Sequence, residues 1–299
     1  MYAQKTFMER LRTFLTFALI PLIAFTTVLL IPFLVGVMLT FTDWNGITPI
    51  DSFNYNWIGL DNFAKAFSSP EFLGVLWLTV RYVVLVIIFT NVIAFGLALL
   101  VSSQLPFRNI FRAAFFVPNL IGGIILGFVW QFIFATFVPY IGDTTGIELL
   151  KFSWLVETPK AFAALVIVSV WQLSGYMMLI YIAGLTGISD EILEASSIDG
   201  ANGFSQLLYI KIPLLVNAFA ISVFLTLRNS FMVFDVNLSL TDGGPFRSTE
   251  MMTLHIFNEA FVAQQFGTSQ AKALVLFLIV AVVAVAQVLI TNRLQERTS

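Results

Sequence analysis

Cysteine is absent from this 299-residue chain, histidine occurs once, and Lys, Arg, Asp and Glu together make up only 11% of it. Each scarcity closes off some chemistry. Without cysteine there is no disulfide framework, no thiolate metal site and no cysteine nucleophile. The single histidine, His255, leaves little for a histidine-built metal centre or a proton relay, and neither a metal site nor a catalytic residue is expected. A water-soluble domain is ordinarily about 25% charged and about 45–50% apolar. Here 59% of residues are hydrophobic and the mean hydropathy is +0.92. Fifteen basic and seventeen acidic residues cannot clothe a soluble fold of this length, which argues against a soluble enzyme. A net charge of −2 offers no electrostatic footprint for nucleic acid. The chain also lacks a phosphate-binding G-x4-G-K-[ST] loop, a G-x-S-x-G elbow and a histidine within any apolar run, which argues against an intramembrane enzyme.

Apolar runs and phenylalanine, of which there are 32, are what the chain has in plenty. Crossing a bilayer takes roughly 20 mainly apolar helical residues at about 1.5 Å each. The charge-poor stretches predict an all-α polytopic membrane protein with spans at about 14–41, 74–101, 110–135, 161–185, 213–234 and 273–292. No Pro/Gly/Ser-rich linker divides 1–299, so one membrane domain is expected. The first stretch is too long, and lacks a small-residue cleavage site, to read as a cleaved signal peptide. Basic residues favour one set of loops: Lys5, Arg10, Arg12, Arg108, Arg112, Lys211, Arg293 and Arg297, against Lys65, Lys151, Lys160, Arg247 and Lys272 in the longer alternate set. On the positive-inside rule both termini and the 189–212 loop are cytoplasmic. Arg81 then anchors the second span at the outer interface, and His255 is an ordinary residue of an external loop.

The 189–212 loop is itself patterned. Ser189 suits an N-cap, and Asp190 and Glu191 complement the dipole of a helix that places Ile192, Leu193 and Ile198 on one side. Gly200 and Gly203 permit a sharp turn. Phe204, Leu207, Leu208 and Ile212 then recur at helical spacing, and Pro213 fits the first turn of the next span. Two short helices projecting in this way can plug into a groove on another protein. The pattern also suits a connector lying on lipid headgroups.

Glu194-Ala195-Ser196, Gly200 four residues on, and Ile210-x-Ile212-Pro213 resemble the EAA loop of ABC-importer permeases, E-A-A-x3-G-x9-I-x-L-P, with Ser196 and Ile212 as conservative departures. Phe234-Asp235, Leu240-Thr241-Asp242-Gly243-Gly244-Pro245 and Ser248-Thr249-Glu250 resemble the F-D…L-T-x-G-G-P…T-E segment of carbohydrate-type permeases. Ile58-Gly59-Leu60-Asp61-Asn62-Phe63, Phe111-Arg112-x4-Phe116-x-Pro118 and Trp171-x4-Tyr176 echo the same family, and the order resembles the F-type half of the maltose-type transporters. The resemblance implies the type I importer architecture, in the cell membrane of a prokaryote, with a cytoplasmic coupling-helix loop. It implies a second homologous permease subunit, two cytoplasmic ATPase subunits that use ATP and Mg, and an extracytoplasmic solute-binding protein; this chain carries no cofactor of its own. Glu194, Ala195, Asp199 and Gly200 are then the residues that couple to the ATPase.

Polar side chains at membrane depth are costly and usually face a pathway or another helix. Trp171 and Tyr176 match aromatic positions of the family's sugar site; Asn119, Thr226 and Ser230 fall at site positions there as well. Trp and Tyr also anchor at interfaces, Asn119 could bond the carbonyl freed by Pro118, and Arg228 could pair with Asp235. Trp130 reads as packing or lipid contact. A sugar is the expected solute; a polyol, a glycerol phosphodiester or an acidic sugar is the alternative. The orientation is checked by introducing cysteine at Ser196 and at Ser248 of this cysteine-free chain. A membrane-impermeant thiol reagent applied from outside should label position 248 and spare position 196; labelling of both would overturn the six-span topology.

Overall fold

The computed structural model describes residues 7–47, 55–103 and 106–298; Lys5, counted above for orientation, lies outside them. Long apolar runs become long helices. Leu19–Leu39, Pro70–Ser102, Gly123–Thr145, Thr158–Thr186 and Phe266–Arg293 are each long and apolar enough to cross a bilayer. A sixth is reached when Gly203–Leu214 and Val216–Phe231, which meet at a bend of 69°, count together as one broken span. No strand forms among the described residues, where the one bridge joins Thr42 and Trp57. The expected all-α architecture is therefore present, with six spans when the bent pair counts as one. Its contacts group into two compact units, one built from the chain up to Ser69 with Ile256–Val275, the other from Pro70–His255 with Leu276 onward.

Three boundaries differ from the expected ones. The stretch read as a span at 110–135 is divided: Arg108–Leu120 ends with Pro118 in its last turn, Ile121 is extended, and a new helix begins at Gly123. Thirteen residues at about 1.5 Å each give about 20 Å, too short for a hydrocarbon core of about 30 Å, so the crossing belongs to Gly123–Thr145. Pro213 does not open the fifth crossing. It lies inside Gly203–Leu214, and the chain bends at Leu215. Finally Lys272, read as a loop residue, lies within the last helix, where it pairs with Glu259 at 2.6 Å.

In the larger unit helix 158–186 is the centre, with 56% of its most apolar window buried. Lipid tails supply no hydrophobic drive between helices, so close backbone approach and interhelical hydrogen bonds do the joining. Gly175 abuts the carbonyl of Phe115. Gly123 and Gly127, a small-x3-small pair, let the 123–132 turns settle on Asp235 and Ser239 of helix Asp235–Leu240. Tyr82 Oη and Ser169 Oγ are 2.6 Å apart. Asn91 ties three helices together: its Oδ1 accepts from Tyr181 at 2.7 Å and from Ser222 at 2.6 Å, and its Nδ2 donates to the Ile87 carbonyl at 2.8 Å. In the smaller unit Asn62 has the matching role, its buried Nδ2 donating to the carbonyls of Thr40 and Thr42 at 2.9 and 2.8 Å. Asn56 donates twice to Asp43, which holds that carboxyl below its ordinary range.

Replacing Asn91 by Leu strands two buried hydroxyls. Given about 0.6–2 kcal/mol for a polar contact between membrane helices, Asn91→Leu should lower unfolding stability in detergent by about 1–2 kcal/mol. An unfolding midpoint equal to wild type would show that this knot carries no stability.

Candidate functional site

The loop between the fourth and fifth crossings forms the helical pair that its pattern predicts. Asp190–Ile198 starts at Ser189, whose backbone is extended as an N-cap requires but whose hydroxyl makes no cap bond. Gly200, at φ +85°, makes the turn; this left-handed conformation is cheap only for glycine. Asn202 then caps the next helix by accepting from Ser205 N at 2.8 Å. The angle between the two helices is held by Gln206, whose Nε2 donates to Ser196 Oγ and Ser197 Oγ, each at 2.9 Å, and to the Leu193 carbonyl at 3.2 Å. Ser196, where the family pattern has alanine, is thus buried under Gln206. Glu194, Ala195, Asp199 and Gly200 are all exposed. Ile198, at 87% exposure, stands away from Leu193 instead of sharing its sheltered side, and Phe204 and Tyr209 are exposed at 69% and 78%. The loop therefore offers acidic and large apolar side chains together on a pinned scaffold.

A second candidate lies within the helices, where two chain breaks meet helix 158–186. A polar recess of about 310 Å³ is lined by Asn119, Gln172, Asn229 and Asp235 with Tyr82 and Ser169 behind. Both breaks expose backbone carbonyls, and neighbouring side chains take them up: Gln172 Nε2 donates to Ile121 O at 3.3 Å, and Thr253 Oγ1 donates to Val233 O. The Asn119 side chain makes no hydrogen bond to a described residue, so it does not serve the carbonyl freed by Pro118. Arg228 is exposed and forms no ion pair with Asp235.

The five expected pathway residues do not converge on one cavity within this chain. Asn119 faces the polar recess, whereas Trp171, 42% exposed, lines an apolar groove of about 800 Å³ with Phe89, Phe162 and Ser174. Tyr176 packs with Phe116 at a ring distance of 6.4 Å and lines neither space. Thr226 and Ser230 are buried, and each hydroxyl donates to the carbonyl four residues back, at 2.8 and 2.7 Å. The protons of both hydroxyls are thus taken by their own helix. Gln172 and Asn229, polar interruptions of the fourth and fifth apolar stretches, line the recess as well. Trp130 packs between helices as expected, and its partner there is Trp171, whose ring it meets edge-on at 5.3 Å.

The L-T-D-G-G-P…S-T-E segment is a locked loop. Asn237 donates to Thr249 O at 2.8 Å and accepts from Met251 N at 2.9 Å, while Thr249 Oγ1 donates to Gly244 O at 2.6 Å. Glu250, buried, takes a two-pronged ion pair from Arg247, at 2.6 and 3.0 Å, and raises the guanidinium pKa further. Arg247 also pairs with Glu71. His255 is buried at 3% exposure with its Nδ1 3.3 Å from Arg247, which corrects its reading as a surface residue. The ligand atoms of Glu71, Glu250 and His255 lie within 4.8 Å of one another, but the guanidinium already supplies their cation.

Comparison with known proteins accounts for this arrangement. Residues 90–296 match the family described as binding-protein-dependent transport system inner membrane component. A probable starch degradation products transport system permease protein of Thermoanaerobacterium thermosulfurigenes is 45% identical over 273 residues, covering 91% of each chain. A diacetylchitobiose uptake system permease protein of Streptomyces coelicolor is 33% identical over 97% of this chain and 85% of its own. A multiple sugar-binding transport system permease protein of Streptococcus mutans is 28% identical, covering 94% and 95%. A bacterial ABC transporter involved in import of the acidic polysaccharide alginate shares the fold, with a TM-score of 0.78 at 20% identity over 96% of both chains. The apolar crossings, the pinned loop and these matches lead to one conclusion: the chain belongs to the inner membrane components of binding-protein-dependent transport systems and is a multi-pass permease subunit of the type I importer fold.

Proposed function

We propose that this permease forms half of the membrane pathway of an ATP-driven sugar importer, carrying oligosaccharides of the kind released from polysaccharides. A relative at 45% identity named for starch degradation products supports that solute class. A second homologous permease completes the pathway, an extracytoplasmic binding protein delivers the solute, and two cytoplasmic ATPase subunits hydrolyse ATP with Mg. Both termini of the chain are cytoplasmic, and it has no ATPase site of its own. The observation that carries the proposal is the Gln206-pinned helical pair, which exposes Glu194, Asp199, Ile198 and Phe204 around Gly200. Exposed acids beside exposed apolar side chains on a rigid knuckle suit docking in a protein groove, so that closure of the ATPase pair moves the helices on either side.

On this reading Trp171 supplies the stacking ring and Asn119, Gln172 and Asn229 the hydrogen-bonding side of the pathway, while Tyr176, Thr226 and Ser230 support its wall from behind. A sugar's C–H faces stack on indole, and its hydroxyls need donors and acceptors in a place where lipid offers none.

Two tests address the two ends of the proposal. A Cβ at Gly200 would meet nothing within 4 Å, so Gly200→Val acts through the backbone alone, at a cost of about 1–2 kcal/mol for a β-branched residue at positive φ. Gly200→Val and Glu194→Ala should each yield an assembled complex whose ATPase no longer responds to loaded binding protein; normal stimulation in both would refute the coupling role. In the pathway, Trp171→Ala should weaken sugar affinity about tenfold, the equivalent of about 1.4 kcal/mol. Ser230→Ala should leave it unchanged, and the reverse pattern would relocate the solute to helix 216–231.

A further inference from the structure

Trp171 ends a run of four aromatic rings. Its ring meets Trp130 edge-on at 5.3 Å and 74°. Trp130 stacks on Phe134 at 5.3 Å and 28°, and Phe134 stacks on Trp154 at 5.5 Å and 19°. The far end is fixed: Trp154 Nε1 donates to the Leu149 carbonyl at 3.2 Å, and Ser153 Oγ accepts from Leu155 N at 3.3 Å at the start of the Trp154–Val156 turn. Phe134, in the middle, is only 4% exposed and sits in the π-helical turn Ile133–Phe137. The faces of Phe134 are taken by its neighbours, so the run is a strut and not a track along which a sugar could slide. Its free end is Trp171, which is 42% exposed, while Val170 and Leu173 beside it are buried. The Trp171 indole N–H donates to no described residue.

An indole on a helix surface ordinarily has several side-chain rotamers open to it. An edge-on contact with Trp130, itself stacked on Phe134, selects one. We infer that Trp130 is a positioning residue: braced by Phe134 and Trp154, it fixes the orientation in which Trp171 presents its ring face and N–H to a pyranose in the groove. This rests on the assignment of Trp171 to the solute pathway, and it adds a residue that does not itself touch the sugar. Ordering the ring before the sugar arrives removes part of the entropy cost of binding, so the strut acts on affinity through preorganisation.

The test uses the complete transporter in nanodiscs, titrated with maltotriose, in a double-mutant cycle. Trp130→Leu should weaken maltotriose binding about three- to tenfold, and Trp130→Phe, which keeps an aromatic edge partner, should stay within about twofold. In a Trp171→Ala background, Trp130→Leu should add nothing, because the ring it positions is gone. Phe134→Leu, one ring removed, should weaken binding less than Trp130→Leu and serves in its place if that variant fails to assemble. Equal weakening by Trp130→Leu in both backgrounds would overturn the positioning role, as would unchanged affinity in a protein whose Trp171→Ala variant binds poorly. Should Trp171→Ala itself bind maltotriose normally, the pathway assignment fails, and the positioning role falls with it.

Discussion

A backbone N–H or C=O left bare in hydrocarbon has no water to turn to, and each such group costs several kcal/mol. The rest of this structure follows from that penalty. It makes every crossing a helix, and it makes every interruption of a helix a place where protein must supply partners. The interruption at 121–122 is served by Gln172, and the carbonyl of Val233 in the turn beyond helix 216–231 by Thr253. Polar side chains are thereby drawn to the breaks, and the recess of Asn119, Gln172 and Asn229 lies where they gather. The polar interior of this permease is thus partly a by-product of satisfying its own chain.

The same economy explains how the helices pack. With no hydrophobic gain from leaving lipid, contacts depend on small residues and on a few shared acceptors. Gly123, Gly127 and Gly175 bring backbones together, and Asn91 collects two hydroxyls from two other helices. Outside the apolar runs the locked loop around Asn237, Thr249 and Glu250 shows that a motif can be demanding for structural reasons: its residues hold one another.

Hydropathy made the apolar crossings legible, and the two-helix form of the projecting loop with its turn at Gly200 could be read, because that glycine and the flanking helical spacing are local signals. The break at 121–122 was hidden because two residues inside a long apolar stretch barely change its hydropathy, even beside Pro118 and a Gly-Gly pair. Thr226 and Ser230 look like pathway residues in one dimension because a hydroxyl in an apolar run is conspicuous; whether it faces outward or bonds back to its own helix is settled by rotamer and neighbours. His255 was misjudged for a third reason. Its partners, Arg247 and Glu250, are brought to it by the fold, and no spacing announces it.

Helix Pro70–Ser102 has 33 residues, about 50 Å of rod at about 1.5 Å per residue, against a hydrocarbon core of about 30 Å. Even at the steep end of observed tilts, about 40°, it spans about 38 Å along the bilayer normal, so it outreaches the hydrocarbon core. Asn91, where it is bonded to two other helices, divides the rod unequally, into arms of about 31 Å toward Pro70 and about 17 Å toward Ser102. Glu71, gripping Arg247, rides near the tip of the longer arm. A swing of the helix about Asn91 would carry the end that holds the Arg247 loop nearly twice as far as the other.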